Sequence, residues 1–174
     1  MAKAVISTIG HDRPGLVADI TAIATQLALN IEDSRMTVLG GEFAILMALE
    51  GAPEVLAQLD AQLKSLCDGD DIAYIYRPTQ ERSTTPPIRP YVANVVALDH
   101  PGIVHAIAAF FSSRGINIRD LHTETSPAAH TGTPIFNVSL VAEVPPDQKV
   151  HGLKADFETF CADEDLDGSL EPER

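Results

Sequence analysis

The chain has 174 residues, of which 45% are hydrophobic and 21% charged, and it carries a net charge of −13. This composition is globular rather than disordered, and the length suits two units of about 80 residues, each near the lower limit for an independent core. The acidic balance excludes direct nucleic-acid binding, which needs a basic surface, and the longest apolar run, Phe43 to Leu49, is too short to cross a bilayer.

The N-terminus enters strand-like sequence at once, with no signal-peptide core, which reads as a cytoplasmic protein. A β-branched run from Ala4 to Ile9 predicts the first strand. His11-Asp12-Arg13-Pro14 closes it and starts a helix, with Asp offering a capping oxygen and Pro fitting the first turn. Leu16, Val17, Ile20, Ile23, Ala24 and Leu27 form one stripe along that helix, which Asn30 breaks. Ile31 to Leu39 and Phe43 to Leu49 read as a hairpin turning at Gly40-Gly41. After Gly51-Ala52-Pro53, a second helix presents Val55, Leu56, Leu59, Leu63 and Leu66 on one face, and Ile72 to Tyr76 is the last strand. The order is βαββαβ.

The stretch from Arg77 to Pro90 is proline-rich and lacks apolar periodicity. It divides the chain into a first domain, 1–77, a linker, 78–90, and a second domain, 91–174. The second half repeats the order. Tyr91 to Leu98 is a strand, Ile103, Val104, Ile107 and Phe111 face inward from a helix, and strands follow at Asn117 to Thr125 and Ile135 to Ala142. The longer loop Ser126 to Thr133 replaces the tight glycine turn. Val150, Leu153, Phe157, Phe160 and Cys161 stripe the final helix, and a short strand lies near Leu166 to Leu170. The fold class is therefore α+β: two ferredoxin-like units, each a four-stranded antiparallel sheet with two helices on one face.

The repeat is written in the motifs. Asp12-Arg13-Pro14-Gly15-Leu16-Val17 with Asn30-Ile31 recurs as Asp99-His100-Pro101-Gly102-Ile103-Val104 with Asn117-Ile118, at a constant offset of 87 residues. A strand-to-helix turn offers unpaired backbone N–H groups at the positive end of the helix dipole, where a carboxylate is held without a cationic side chain. Gly15 and Gly102 allow close approach to the backbone, while Asn30 and Asn117 each offer an amide donor and acceptor. A free amino acid matches that set. The same residues also suit plain helix starts and helix ends, a reading that duplication leaves open.

These motifs, in this element order, resemble the ACT domain family of regulatory amino-acid-binding modules. A tandem pair with no attached catalytic domain is similar to the glycine cleavage system transcriptional repressor family. The resemblance implies ligand sites, often where two ACT units meet, at His11, Asp12, Arg13, Pro14, Gly15, Leu16 and Val17 with Asn30 and Ile31. It implies a second set at Asp99, His100, Pro101, Gly102, Ile103 and Val104 with Asn117 and Ile118. His100 stands where the first copy has Arg13, so the two sites differ in ligand or one is empty. Glycine or serine is the implied ligand, and a transcription factor the implied partner.

Other signals are weaker. Cys67 and Cys161 lack any metal-ligand or redox spacing and read as buried, reduced thiols. Asp163-Glu164-Asp165-Leu166-Asp167-Gly168 opens like an EF-hand loop, but Arg174 stands where the bidentate Glu is required. Asp165-Leu166-Asp167-Gly168-Ser169 resembles the haloacid dehalogenase phosphatase motif, with only five residues after it. The eight acidic residues from Asp156 onward read as a solvated tail. His11 lies beside the proposed site. No cofactor, metal site or catalytic residue is expected. The expected function is non-catalytic regulation of a protein partner by a homo-oligomer such as a dimer. The alternatives are a regulatory subunit or fragment of an amino-acid or folate enzyme, and a ligand-free assembly module.

Overall fold

The computed structural model describes residues 1–80, 88–128 and 132–173. The chain divides into two compact units. The first contains β1 (Ala2–His11), α1 (Leu16–Gln26), β2 (Asn30–Leu39), β3 (Glu42–Gly51), α2 (Pro53–Gly69) and β4 (Ala73–Thr79). The second contains β5 (Arg89–Leu98), α3 (Ile103–Ser112), β6 (Asn117–Pro127), β7 (Pro134–Val144), α4 (Val150–Asp163) and β8 (Asp167–Pro172). The strand orders are β2-β3-β1-β4 and β6-β7-β5-β8, with every neighbouring pair antiparallel. Both units are thus four-stranded sheets with two helices, the expected ferredoxin-like arrangement. Among the described residues no helix is long and apolar enough to cross a membrane.

Alternation builds each core. Ala4, Ile6 and Thr8 of β1, with Ile45, Met47 and Leu49 of β3, point toward the helices and are buried against Leu16, Ile20, Leu56, Leu59 and Leu63. The second core is built the same way but around aromatic rings, with Phe110, Phe111 and Phe157 buried and Phe160 packed against them. Val17 and Val104, expected in the inward stripes, are exposed. Each follows the first helical residue by one position, which turns it about 100° off the face that Leu16 and Ile103 occupy.

Other expectations shift for local reasons. Asp12 caps no helix. Gly15 and Gly102 are themselves the N-caps, left-handed at φ 89° and φ 105°, with no side-chain cap. Nor does Asn30 break α1. The helix ends at Gln26, Ala28 turns the chain at φ 51°, and Asn30 already belongs to β2. Strand pairing takes up the ends of the proline-rich stretch, since β4 reaches Thr79 and β5 begins at Arg89; its residues 81–87 lie outside the described residues. Part of the loop from Ser126 to Thr133 is strand, because β6 runs to Pro127, and 129–131 lie outside the described residues. The acidic C-terminal run is not a tail. It forms the end of α4, a left-handed turn at Asp165 and a strand paired with β5, with its charges mostly at exposed positions.

Cys67 and Cys161 are free and buried. Burial, then the charge of Asp167, pushes the Cys161 thiol up to about 11, and burial raises Cys67. Both are protonated at neutral pH.

One buried polar atom carries a prediction. Thr8 Oγ1 has no hydrogen-bond partner among the described residues, and the matching position in the second unit is Val95, also buried. Exchanging the hydroxyl for a methyl removes an unpaired polar group at nearly constant shape. Thr8→Val is therefore expected to raise unfolding stability by about 1 kcal/mol in urea titration. A loss of stability would mean that the hydroxyl is paired in solution.

Candidate functional site

The strand-to-helix turn is anchored at one end of each sheet. His11 pairs with Glu42, and the Asp12 N–H donates to the Gly41 carbonyl at 3.4 Å. In the second unit the Asp99 N–H donates to the Pro134 carbonyl at 3.2 Å. The turn then reaches the left-handed glycine, whose carbonyl accepts the first well-formed helical bond, from Asp19 in one copy and Ala106 in the other, both at 2.9 Å. Glycine is required here because an L side chain at that φ meets the neighbouring carbonyl. Among the described residues nothing accepts from the N–H groups of Val17 and Ala18, or of Ile103, Val104 and His105. These donors sit at the positive ends of helices of 11 and 10 residues.

The two turns differ beside the glycine. The Arg13 guanidinium folds across the first one, pairing with Asp19 at 2.8 Å and with Asp70 at the end of α2. Those hydrogen bonds, Asp70's first, raise the arginine pKa. A Cβ at Gly15 would lie 3.8 Å from that guanidinium, whereas one at Gly102 would have nothing within 4 Å. His100 turns back on its own turn, its Nδ1 at 3.2 Å from the Pro101 carbonyl. His11, Asp12, Pro14, Asp99 and Pro101 are exposed at this end of their sheets. A surface hollow of about 410 Å³ opens beside the first turn, lined by Asp12, Arg13, Gly15, Leu16, Val17, Ala18 and Phe43. That size lies in the range of small-ligand sites.

Asn30 and Asn117 are not at this end. Asn30 is opposite Glu50 on β3, while His11 is opposite Glu42. Eight residues of extended chain, roughly 27 Å, therefore separate turn and asparagine within one unit. A free glycine or serine is only a few ångströms long. One molecule cannot touch the turn and the asparagine of the same unit. The reason is the helix, which starts at the turn and carries the chain back along the whole sheet before Asn30.

The asparagines have surroundings of their own. Asn117 Nδ2 donates to Glu143 Oε2 at 2.8 Å and to the Ile118 carbonyl at 3.2 Å, with Glu143 buried. Asn117 borders a second hollow, of about 420 Å³, with Ile116 and Ile118. Asn30 and Ile31 are exposed. Both copies bulge just after the Asn-Ile pair, between Ile31 and Asp33 and between Ile118 and Asp120. Sequence reading missed Phe43, Asp19 and Asp70 at the first turn and Glu143 beside Asn117. The acid at Asp19, four residues into the helix from Gly15, was a readable signal; Asp70 and Glu143 come from distant elements and left none.

Models described as "ACT domain" match residues 3–73 and 91–150. The glycine cleavage system transcriptional repressor of Escherichia coli K12 is 27% identical over 166 residues, covering 95% of this chain and 87% of that protein. A crystal structure of a candidate glycine cleavage system transcriptional repressor superposes with a TM-score of 0.74 at 25% identity, covering 99% of this chain and 98% of the other. An unknown protein from Galdieria sulphuraria gives 0.82 at 28%, covering 99% of both chains.

Proposed function

Because this chain belongs to the ACT domain family, with one domain in each half, we propose that it binds a free amino acid, glycine or serine, at its helix-opening turns and thereby changes its hold on a protein partner. Two ACT domains and the similarity to a repressor point to a regulatory, non-catalytic role. The observation that carries the ligand is the paired turn, where left-handed Gly15 and Gly102 open helices in which the N–H groups of Val17 and Ala18, and of Ile103, Val104 and His105, have no acceptor among the described residues. That arrangement suits an amino-acid carboxylate.

The similarity to a glycine cleavage system transcriptional repressor, in a chain whose net charge of −13 is poorly made for holding DNA itself, supports a transcription factor of that system as the partner. Regulation further requires that the ligand favour one conformation over another, because equal affinity for both shifts nothing.

The test is thermal unfolding of the whole protein against each of the twenty amino acids at millimolar concentration. A ligand at a hundred times its dissociation constant adds about 2.7 kcal/mol, a rise on the order of 5 to 10 °C. One or two hits are expected, lost when both turn glycines are replaced by valine. A flat panel overturns the proposal. Hits lost with Asn30→Ala and Asn117→Ala but kept in the turn variants place the ligand at the other end of the sheet.

A further inference from the structure

The face of each sheet turned away from its helices differs sharply between the units. In the first, the register sets Arg35, Leu46, Ser7 and Ile75 in one row, with Thr37, Ala44, Ile9 and Ala73 in the next. Ile9, Leu46 and Ile75 are 50%, 49% and 59% exposed. In the second unit the matching rows are Ser139, Asn94 and Ser169, then Asn137, Val96 and Asp167. There Ser139 Oγ donates to Asn94 Oδ1 at 2.9 Å, and His122 and Glu124 of β6 extend the two rows. The middle of the first face is apolar on β3, β1 and β4, with Arg35 and Thr37 at its β2 edge, whereas the matching middle of the second is polar and acidic. An exposed apolar sheet face is costly to leave wet.

We infer that the outer face of the first sheet, centred on Ile9, Leu46 and Ile75, packs against the same face of a second copy of this chain. The charges favour that occupant. The row through Val5 ends in Asp33 on β2 and Arg77 on β4, the two opposite edges of the sheet. A two-fold axis parallel to the strands lays β2 of one copy over β4 of the other at the same row. Each Asp33 then meets an Arg77, twice per dimer, as an isologous interface requires. Arg77 has no ion pair among the described residues, and Asp33 has only its exposed neighbour Arg35, at 2.6 Å. The area is also sufficient. Four strands about 4.8 Å apart and mostly ten residues long cover roughly 600 Å² in projection, so two pleated faces approach the 1,200 to 2,000 Å² of a specific dimer. This inference is independent of ligand binding.

Sedimentation equilibrium of the full chain tests it. The wild type is expected to dimerise, and Leu46→Lys with Ile75→Lys to raise the dissociation constant by on the order of 100-fold while circular dichroism stays unchanged. Asp33→Arg alone, or Arg77→Asp alone, should weaken the dimer, and the two together should restore it. A wild type that stays monomeric overturns the inference, as does a dimer indifferent to the two lysines. Failure of the double charge exchange to rescue a dimer that either single change weakens also overturns the two-fold arrangement.

Discussion

Phe157→Ala is expected to lower the stability of the second unit by about 3–5 kcal/mol, the cost of deleting a buried phenyl group from a packed core. Phe157 is fully buried in α4 and lies at the centre of a ring cluster, with Phe110 at 5.2 Å, Phe111 at 5.6 Å and Phe160 at 6.0 Å between centroids. Its ring also bears on β8, where a Cβ added to Gly168 would come within 3.3 Å of it and closer still to Cys161 Sγ. The site is crowded from three sides, so the neighbours have little room to collapse into the space left behind. Urea unfolding, with hydrogen exchange on the amides of β5, β7 and β8, measures the loss. A change below about 1 kcal/mol would show that the cluster repacks freely.

Gly15→Val is the second large effect, expected to cost about 2 kcal/mol through backbone strain. At φ 89° and ψ −11° a β-branched residue either accepts the left-handed conformation or rotates the turn, and rotation breaks the bond from the Asp19 N–H to the Gly15 carbonyl. Rotation also moves the N–H groups of Val17 and Ala18, and a side chain in the retained left-handed turn stands where the glycine leaves the backbone open to close approach. The variant should therefore unfold earlier and, at the first turn, lose the amino-acid response proposed above. Unfolding in the absence of ligand measures the strain, and titration of the variant measures the binding, so the two losses are separable. Wild-type stability in the variant would mean that the turn tolerates a β-carbon.

Much of this fold was legible in the chain. The offset of 87 residues between Gly15 and Gly102, and between Asn30 and Asn117, announced a duplication. Helical stripes such as Leu16, Ile20 and Ala24 are local, and local periodicity reports the buried face directly. The errors have physical sources. Asp12 looked like a cap because residue type was legible and φ was not; the glycine took that place by turning left-handed. The acidic run from Asp156 looked like a tail because its charges are conspicuous, whereas Leu166 and Leu170, which tie it to the core, are few.

The candidate site was legible as two parts and not as a distance. Residue types marked the turn and the asparagine, and the 11 residues of α1 between them imply a rise of about 16 Å. The strand register then set their separation along the sheet. By itself the sequence determined the duplication, the order of elements and the need for glycine at the turn, since each depends on residues near one another in the chain. Only the tertiary structure decided that Arg13 reaches Asp70, that turn and asparagine occupy opposite ends of a unit, and that Ile9, Leu46 and Ile75 gather in the middle of one outer sheet face where the other places Val96, Ser139 and Ser169. Those facts depend on which strands lie side by side and in what register, and pairing between distant segments is not written in any local pattern.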